Sequence, residues 1–124
     1  MSEPPRDSVT SLSFSPTEDL LVATSWDNLV RCWRIDRNGP DGAGVSCAAV
    51  GQISHDKPVL CSAWRDDGAA VFSGGCNNQV KVWDLAAADF PAITVGFHDD
   101  AVKEVAWIPD INALVTGSWD RTLK

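Results

Sequence analysis

The sequence predicts an all-β chain built from repeated four-stranded units, each a blade of a propeller. Three observations carry that prediction: tryptophans that recur at fixed spacing, short runs of strand-type residues divided by turn residues, and no segment of helical period. Six tryptophans in 124 residues are unusually many, and their positions mark a repeat. Residues 8–35 lie over residues 58–85, so that Val9 matches Val59, Phe14 matches Trp64, Val30 matches Val80 and Trp33 matches Trp83, each pair fifty residues apart. A third copy matches the second at a separation of forty-three: His55 with His98, Val59 with Val102, Trp64 with Trp107, Ser73 with Thr116, Asn77 with Asp120 and Lys81 with Lys124.

Each unit is expected to hold three short strands. They are residues 9–14, 20–24 and 29–35 in the first unit, then 59–64, 69–73 and 79–85 in the second. The third gives 102–107, 113–117 and the start of a strand at Thr122. Turn residues divide them: Ser15 to Asp19, Arg65-Asp66-Asp67-Gly68 and Pro109-Asp110 at the first turn, then Trp26-Asp27-Asn28, Asn77-Asn78 and Asp120-Arg121 at the second. Two weaker runs, 45–53 and 92–97, bridge one unit to the next and bring the count to four strands per period of about 40–45 residues. The first period is longer because residues 38–44, rich in Gly, insert a loop that a surface connection tolerates cheaply. The expected division is a tail at 1–7, blade one at 8–53, blade two at 54–97 and a partial blade three at 98–124.

Composition narrows the function. Ten Lys and Arg against seventeen Asp and Glu give a formal charge of −7, which argues against a free-standing nucleic-acid binder, whose affinity comes from clustered cations. No apolar run approaches the roughly 20 residues of a membrane span, and the polar, Pro-rich start does not resemble a secretion signal, so the chain is expected to be intracellular. Cys32, Cys47, Cys61 and Cys76 stand far apart without metal-ligand spacing and read as buried, reduced thiols; no metal or cofactor is expected. His55 and His98 have no Ser or Cys nucleophile with an orienting third group, and Asp66-Asp67 and Asp99-Asp100 sit in turns where Asp is favoured for backbone reasons. An enzyme is not expected and no catalytic residue is assigned.

The strings VFSGGCNNQVKVWDL and LVTGSWDRTLK, with His55 leading into the unit that ends Trp83-Asp84, resemble the WD-repeat family. That resemblance implies a structural hydrogen-bonded set in each blade: a lead-in His, a hydroxyl on the second strand, an Asp in the next turn and a Trp on the third strand. In the second unit the set is His55, Ser73, Asn77 and Trp83, with Asn where Asp is usual; in the third it is His98, Thr116 and Asp120. The first unit keeps Asp27 and Trp33 but has Ala23 for the hydroxyl and Pro5 for the His, so its network is expected to be broken.

Over nearly the whole chain, DSVTSLSFSP, LVATSWDNLVRCW, SHDKPVLCSAWRDDG, VFSGGC and LVTGSWDRTLK are similar to the messenger-RNA export factors, a WD-repeat group of the nuclear pore. The WD-repeat mitotic checkpoint adaptors, which bind checkpoint kinases, share the SWD, SGG and VTGSWD strings and are the alternative. The resemblance implies a seven-bladed propeller, of which this chain would supply about three N-terminal blades. It further implies a non-enzymatic scaffold at the nuclear envelope that docks on a nucleoporin segment, supports RNA export and binds ubiquitin. Given the charge, RNA contact is expected to be indirect or through other blades. Trp26 and Trp119, each just before the turn residue, with Arg31 and Arg121 nearby, are the candidate peptide-binding face.

Overall fold

Three antiparallel sheets follow one another along the chain in the computed structural model, which describes residues 5–38, 44–85 and 92–124. The first contains β1 (Val9–Phe14), β2 (Leu20–Ser25), β3 (Leu29–Asn38) and β4 (Gly44–Ser54), paired in sequence order. The second repeats this plan with β5 (Val59–Trp64), β6 (Ala70–Gly75), β7 (Gln79–Asp84) and β8 (Ile93–Phe97). The third pairs β9 (Val102–Ile108) with β10 (Ala113–Ser118). Sequential up-and-down pairing follows from short turns, which join antiparallel neighbours and cannot make a crossover.

Most strands begin where the sequence places them; β1 and β5 keep the expected bounds, β2, β3, β9 and β10 run one to three residues longer, and β7 ends one residue sooner. Two details differ from expectation. No strand starts at Thr122: a single bridge joins Gly117 to Leu123, and Thr116 and Lys124 exchange backbone bonds of 2.9 Å. The turn at Pro109-Asp110 is one turn of 3-10 helix, Pro109–Ile111, closed by Asn112 at φ 49°. Of the insert expected at residues 38–44, all but its two ends lies outside the described residues, as do residues 1–4 and the side chain of Cys47.

The core lies between sheets. Val22, Val30 and Cys32 of the first sheet meet Val59, Trp64, Val71 and Trp83 of the second in one buried cluster. Cys61 and Val80 of the second meet Val102 and Val105 of the third in another. Burial raises the Cys32 thiol to about 11 and the Cys61 thiol to about 12, which keeps both protonated and unreactive.

Indole nitrogens fix how each inner strand sits on the sheet before it. Trp64 donates Nε1–H to the Ser13 carbonyl at 3.0 Å, and Trp107, forty-three residues on, donates to Asp66 Oδ1 at 2.8 Å while stacking on Phe72 at 5.4 Å between centroids. Bare glycines admit the next partner. A Cβ on Gly74 would stand 2.6 Å from Val102 Cγ1, and one on Gly51 would stand 3.2 Å from the Trp83 ring.

Gly75→Ala should destabilise the chain by about 1–3 kcal/mol, because its Cβ would stand 2.3 Å from the Pro58 carbonyl oxygen and 2.9 Å from Val59 Cα, where only backbone movement relieves the clash. Gly96→Ala, with nothing nearer than 3.9 Å, should be close to neutral. Urea unfolding followed by tryptophan fluorescence compares the two; equal midpoints would contradict this packing.

Candidate functional site

The turns after β2, β6 and β10 and the loops leading into β1, β5 and β9 meet at one end of each blade. Trp26 N–H donates to the Ser8 carbonyl at 3.0 Å, Cys76 N–H to Pro58 at 2.8 Å and Trp119 N–H to Ala101 at 3.0 Å, one bond per unit at equivalent residues. Each turn is closed by an Asx side chain taking a backbone N–H two residues on: Asp27 from Leu29, Asn77 from Gln79, Asp120 from Thr122. The residue after it is left-handed in all three, with Asn28 at φ 74°, Asn78 at 66° and Arg121 at 71°. Asn tolerates that conformation well, whereas Arg121 is held there at a cost of about 1–2 kcal/mol.

A buried imidazole bolts the lead-in loop to the sheet in the second and third units. His55 sits 2.8 Å from Ser73 Oγ through Nε2 and 3.2 Å from Asn77 Oδ1 through Nδ1. His98 repeats this with Thr116 Oγ1 at 2.8 Å and Asp120 Oδ2 at 3.0 Å, and adds Thr122 Oγ1 at 3.1 Å. The WD domain, G-beta repeat family matches this chain over residues 3–34, 46–84 and 91–124, the second and third matches each taking in the last strand of the preceding sheet, β4 or β8. The chain belongs to the WD-repeat family.

Relatives and neighbours agree with that membership. The chain is 60% identical over 87 residues to the Arabidopsis thaliana protein RAE1, which covers 70% of this chain and 24% of the relative. It is 43% identical to Drosophila melanogaster protein Rae1 and 35% to the Schizosaccharomyces pombe poly(A)+ RNA export protein, each over 100% of this chain. It spans 35% and 34% of those two, so about a third of their length. Among solved structures, U3-55K superposes with a TM-score of 0.78 at 22% identity, and the RRP9 WD40 repeats with 0.78 at 23%. Each covers 98% of this chain and 36% of the other, and at these identities the likeness is one of fold.

The structure treats the sequence-derived site residues of this WD-repeat chain unequally. Trp83 is not brought into the hydrogen-bonded set: no bond joins it to His55, Ser73 or Asn77, and its ring lies against Gly51 within the core cluster. Trp33 is buried with Leu21 and Ala23 on the first sheet. Trp26 and Trp119 are 49% and 58% exposed, and Arg121 is exposed with them. Arg31 is not part of that open face. It is only 5% exposed, and its Nη1 donates to Asp27 Oδ2 at 2.6 Å.

Blade one therefore replaces the imidazole with an ion pair. Asp27 also accepts the Arg6 N–H at 2.9 Å. Burial works to raise the Asp27 carboxyl, but the Arg6 N–H, the Arg31 guanidinium and the Leu29 N–H outweigh it and hold the group below its ordinary value. At the place of Arg31, Lys81 and Lys124 donate instead to the carbonyls of Ser54 and Phe97, at 3.1 and 3.0 Å. The sequence signal was present in the alignment of Arg31 with Lys81, but it shows a shared cation without showing its partner. Among the described residues, no three His, Cys, Asp or Glu side chains gather as a metal site, and no helix is long and apolar enough to cross a membrane.

Burial is the main reason the His55 imidazole titrates below 6.5, with Lys81 adding to the effect and Asn77 and Asp56 opposing it. The Thr122 hydroxyl leads the groups that hold Asp120 far below 3.8, ahead of the backbone N–H groups of Asp99 and Thr122 and of His98; burial opposes them. Both groups titrate lower in the fold than in the unfolded chain. The stability linked to His55 is thus present above 6.5 and lost as pH falls through its depressed value, and that linked to Asp120 is present above about 4 and lost at still lower pH. Asn77→Asp should raise the His55 titration point by giving it a carboxylate partner, read by NMR of the imidazole Cε1–H; an unmoved point would remove Asn77 from the set. Arg31→Ala should cost about 1–3 kcal/mol in unfolding free energy, read by urea unfolding, because the half-buried Asp27 carboxylate loses its guanidinium partner and keeps only the N–H groups of Arg6 and Leu29.

Proposed function

We propose that this chain is part of a WD-repeat messenger-RNA export factor, and that the blade end carrying Trp26, Cys76 and Trp119 holds a nucleoporin peptide segment at the nuclear pore. The observation that carries the reading is the exposure of Trp26 and Trp119 at equivalent turns, each tied by a backbone bond to a rigid lead-in loop. An exposed indole on an immobile backbone is the kind of anchor from which peptide interfaces draw most of their energy, because little ordering entropy remains to be lost. Relatives named as RNA export proteins at 35–60% identity support the same reading. In this reading the blades are residues 8–53, 54–97 and 98–124, after a tail at 1–7.

The described blades act as a scaffold. With a net charge of −7, RNA is reached through partner proteins or through repeats outside this chain. Cys76, half-buried between the two indoles in repeat order, keeps the middle position of the face small.

A chimera that completes the ring with the remaining repeats of the Drosophila relative allows the test. Trp26→Ala and Trp119→Ala should each weaken binding of a nucleoporin docking peptide about 30-fold, the equivalent of about 2 kcal/mol, in isothermal titration. Unchanged affinity in both would remove the face from the function. A preference for a checkpoint-kinase docking peptide over the nucleoporin peptide would move the protein to checkpoint signalling.

A further inference from the structure

Among the described residues Asp67-Gly68 is the one Asp-Gly pair, and the fold dictates both of its members. Gly68 stands at φ 71°, a left-handed position, and a Cβ there would collide with Thr17 Oγ1 of blade one. Asp67 closes the turn between β5 and β6 by accepting the Ala69 N–H at 2.9 Å. The outcome is a dipeptide open to attack by its own backbone, because no side chain on the glycine shields its nitrogen. In that reaction the Gly68 nitrogen attacks Asp67 Cγ; an N–Cγ bond forms, and the carboxyl hydroxyl leaves with the amide proton as water. Water then reopens the succinimide ring. Opening at the α-carbonyl frees that group as a carboxylate and leaves Gly68 joined through the Asp67 side chain, an isoaspartate with one extra methylene in the backbone.

One residue of the same turn opposes both requirements of ring closure. Arg65 grips the two carboxylate oxygens as a fork, Nε donating to Oδ1 at 2.9 Å and Nη2 to Oδ2 at 2.7 Å, which fixes the plane of the group. Arg65 first, and the Ala69 N–H after it, hold the carboxyl below its ordinary 3.8, in the ionised form that has no hydroxyl to lose. The attacking nitrogen is engaged as well, since the Gly68 N–H donates to the Arg65 carbonyl at 2.9 Å. The guanidinium therefore restrains the electrophile and the carbonyl restrains the nucleophile. The repeat equivalents of Arg65 are Ser15 and Ile108, which stand in turns without an Asp-Gly pair. The fork occurs where the labile bond occurs.

We propose that Asp67-Gly68 is an isoaspartate-forming site of this chain and that the Arg65 fork protects it, suppressing succinimide closure at a bond that blade packing and turn geometry together make labile. The added methylene would push Gly68 away from Thr17 and loosen the contact between blades one and two. That contact lies at the end of the blades opposite Trp26 and Trp119, so the proposal does not depend on what those indoles hold.

The chain is aged at neutral pH and body temperature, and isoaspartate is then mapped peptide by peptide through methyl transfer from S-adenosylmethionine by an isoaspartyl methyltransferase. In the unaltered chain, residue 67 should label far more slowly than in a free peptide of residues 62–72. Arg65→Gln should raise the rate at residue 67 several-fold, and Arg65→Lys, which keeps a cation but cannot fork, should fall between the two. Added salt, which screens an exposed ion pair, should speed the unaltered chain and leave Arg65→Gln unmoved. The pairs Asn38-Gly39 and Asp41-Gly42 serve as controls within the same chain, and their rates should be equal in all three proteins. Should Arg65→Gln lose its strand signal in circular dichroism, Arg65→Lys and the salt response of the unaltered chain decide. The proposal is overturned if residue 67 of the unaltered chain labels as fast as the free peptide, or if removing the fork leaves its rate unchanged. It is equally overturned if the rates at all three pairs rise together, which would make Arg65 a general stabiliser.

Discussion

Every blade depends on the one before it, because a four-stranded sheet has two faces and can bury neither against itself. Two of the three buried clusters among the described residues accordingly belong to junctions between sheets, and only the third, Leu21, Ala23 and Trp33, lies on one sheet. Trp64 is the plainest junction residue. Its ring fills the cluster that Val22, Val30 and Val71 share, and its Nε1–H reaches the Ser13 carbonyl, so one side chain supplies apolar burial and sets the register between sheets. A neutral bond of that kind contributes only about 1 kcal/mol net, but an indole buried without its partner would cost more than the bond contributes.

The two junctions solve the same steric problem with different chemistry. Between the second and third sheets a bare Gly74 takes Val102, and the contact is apolar. Between the first and second, Thr24 stands at the place of Gly74, and the gap it narrows is filled by hydroxyls. Thr24 Oγ1 lies 2.7 Å from Thr10 Oγ1 and 2.6 Å from Ser11 Oγ, and Thr10 passes its bond on to the Val59 carbonyl at 2.6 Å. A repeat can tolerate such exchange because what must be preserved is the separation of the sheets and full pairing of the buried polar atoms, not the identity of the residues.

The tryptophan spacing made the repeat legible, and turn residues placed the strand ends, because both are local consequences of period and backbone preference. The hydroxyl partners of His55 and His98 came from the resemblance to the WD-repeat family, and the structure sets each hydroxyl at the same offset of eighteen residues from its imidazole. What sequence could not supply was direction. Trp83 turns its ring onto Gly51 because the preceding blade leaves a Cβ-sized space there, a fact about another sheet. Arg31 was read as an exposed neighbour of Trp26 on the basis of its charge and position, yet the missing imidazole left Asp27 without a buried partner, and the nearest long cation on the same hairpin took that role.

The three units thus hold one turn in place by three pairings of different electrostatic character. Blade two uses a neutral imidazole and a neutral amide, blade three an imidazole and a carboxylate, and blade one a guanidinium that never loses its proton with a carboxylate held ionised. In each case the bonded atom belongs to the Asx residue of the turn, which fixes that residue inward and closes the turn on the N–H two positions later. The residue just before it donates its own N–H to the lead-in loop, so its backbone is held on both sides while its side chain takes no part in the bonding. That arrangement leaves Trp26 and Trp119 outward on a backbone held by the lead-in loop, with Cys76 at the same position in the second blade.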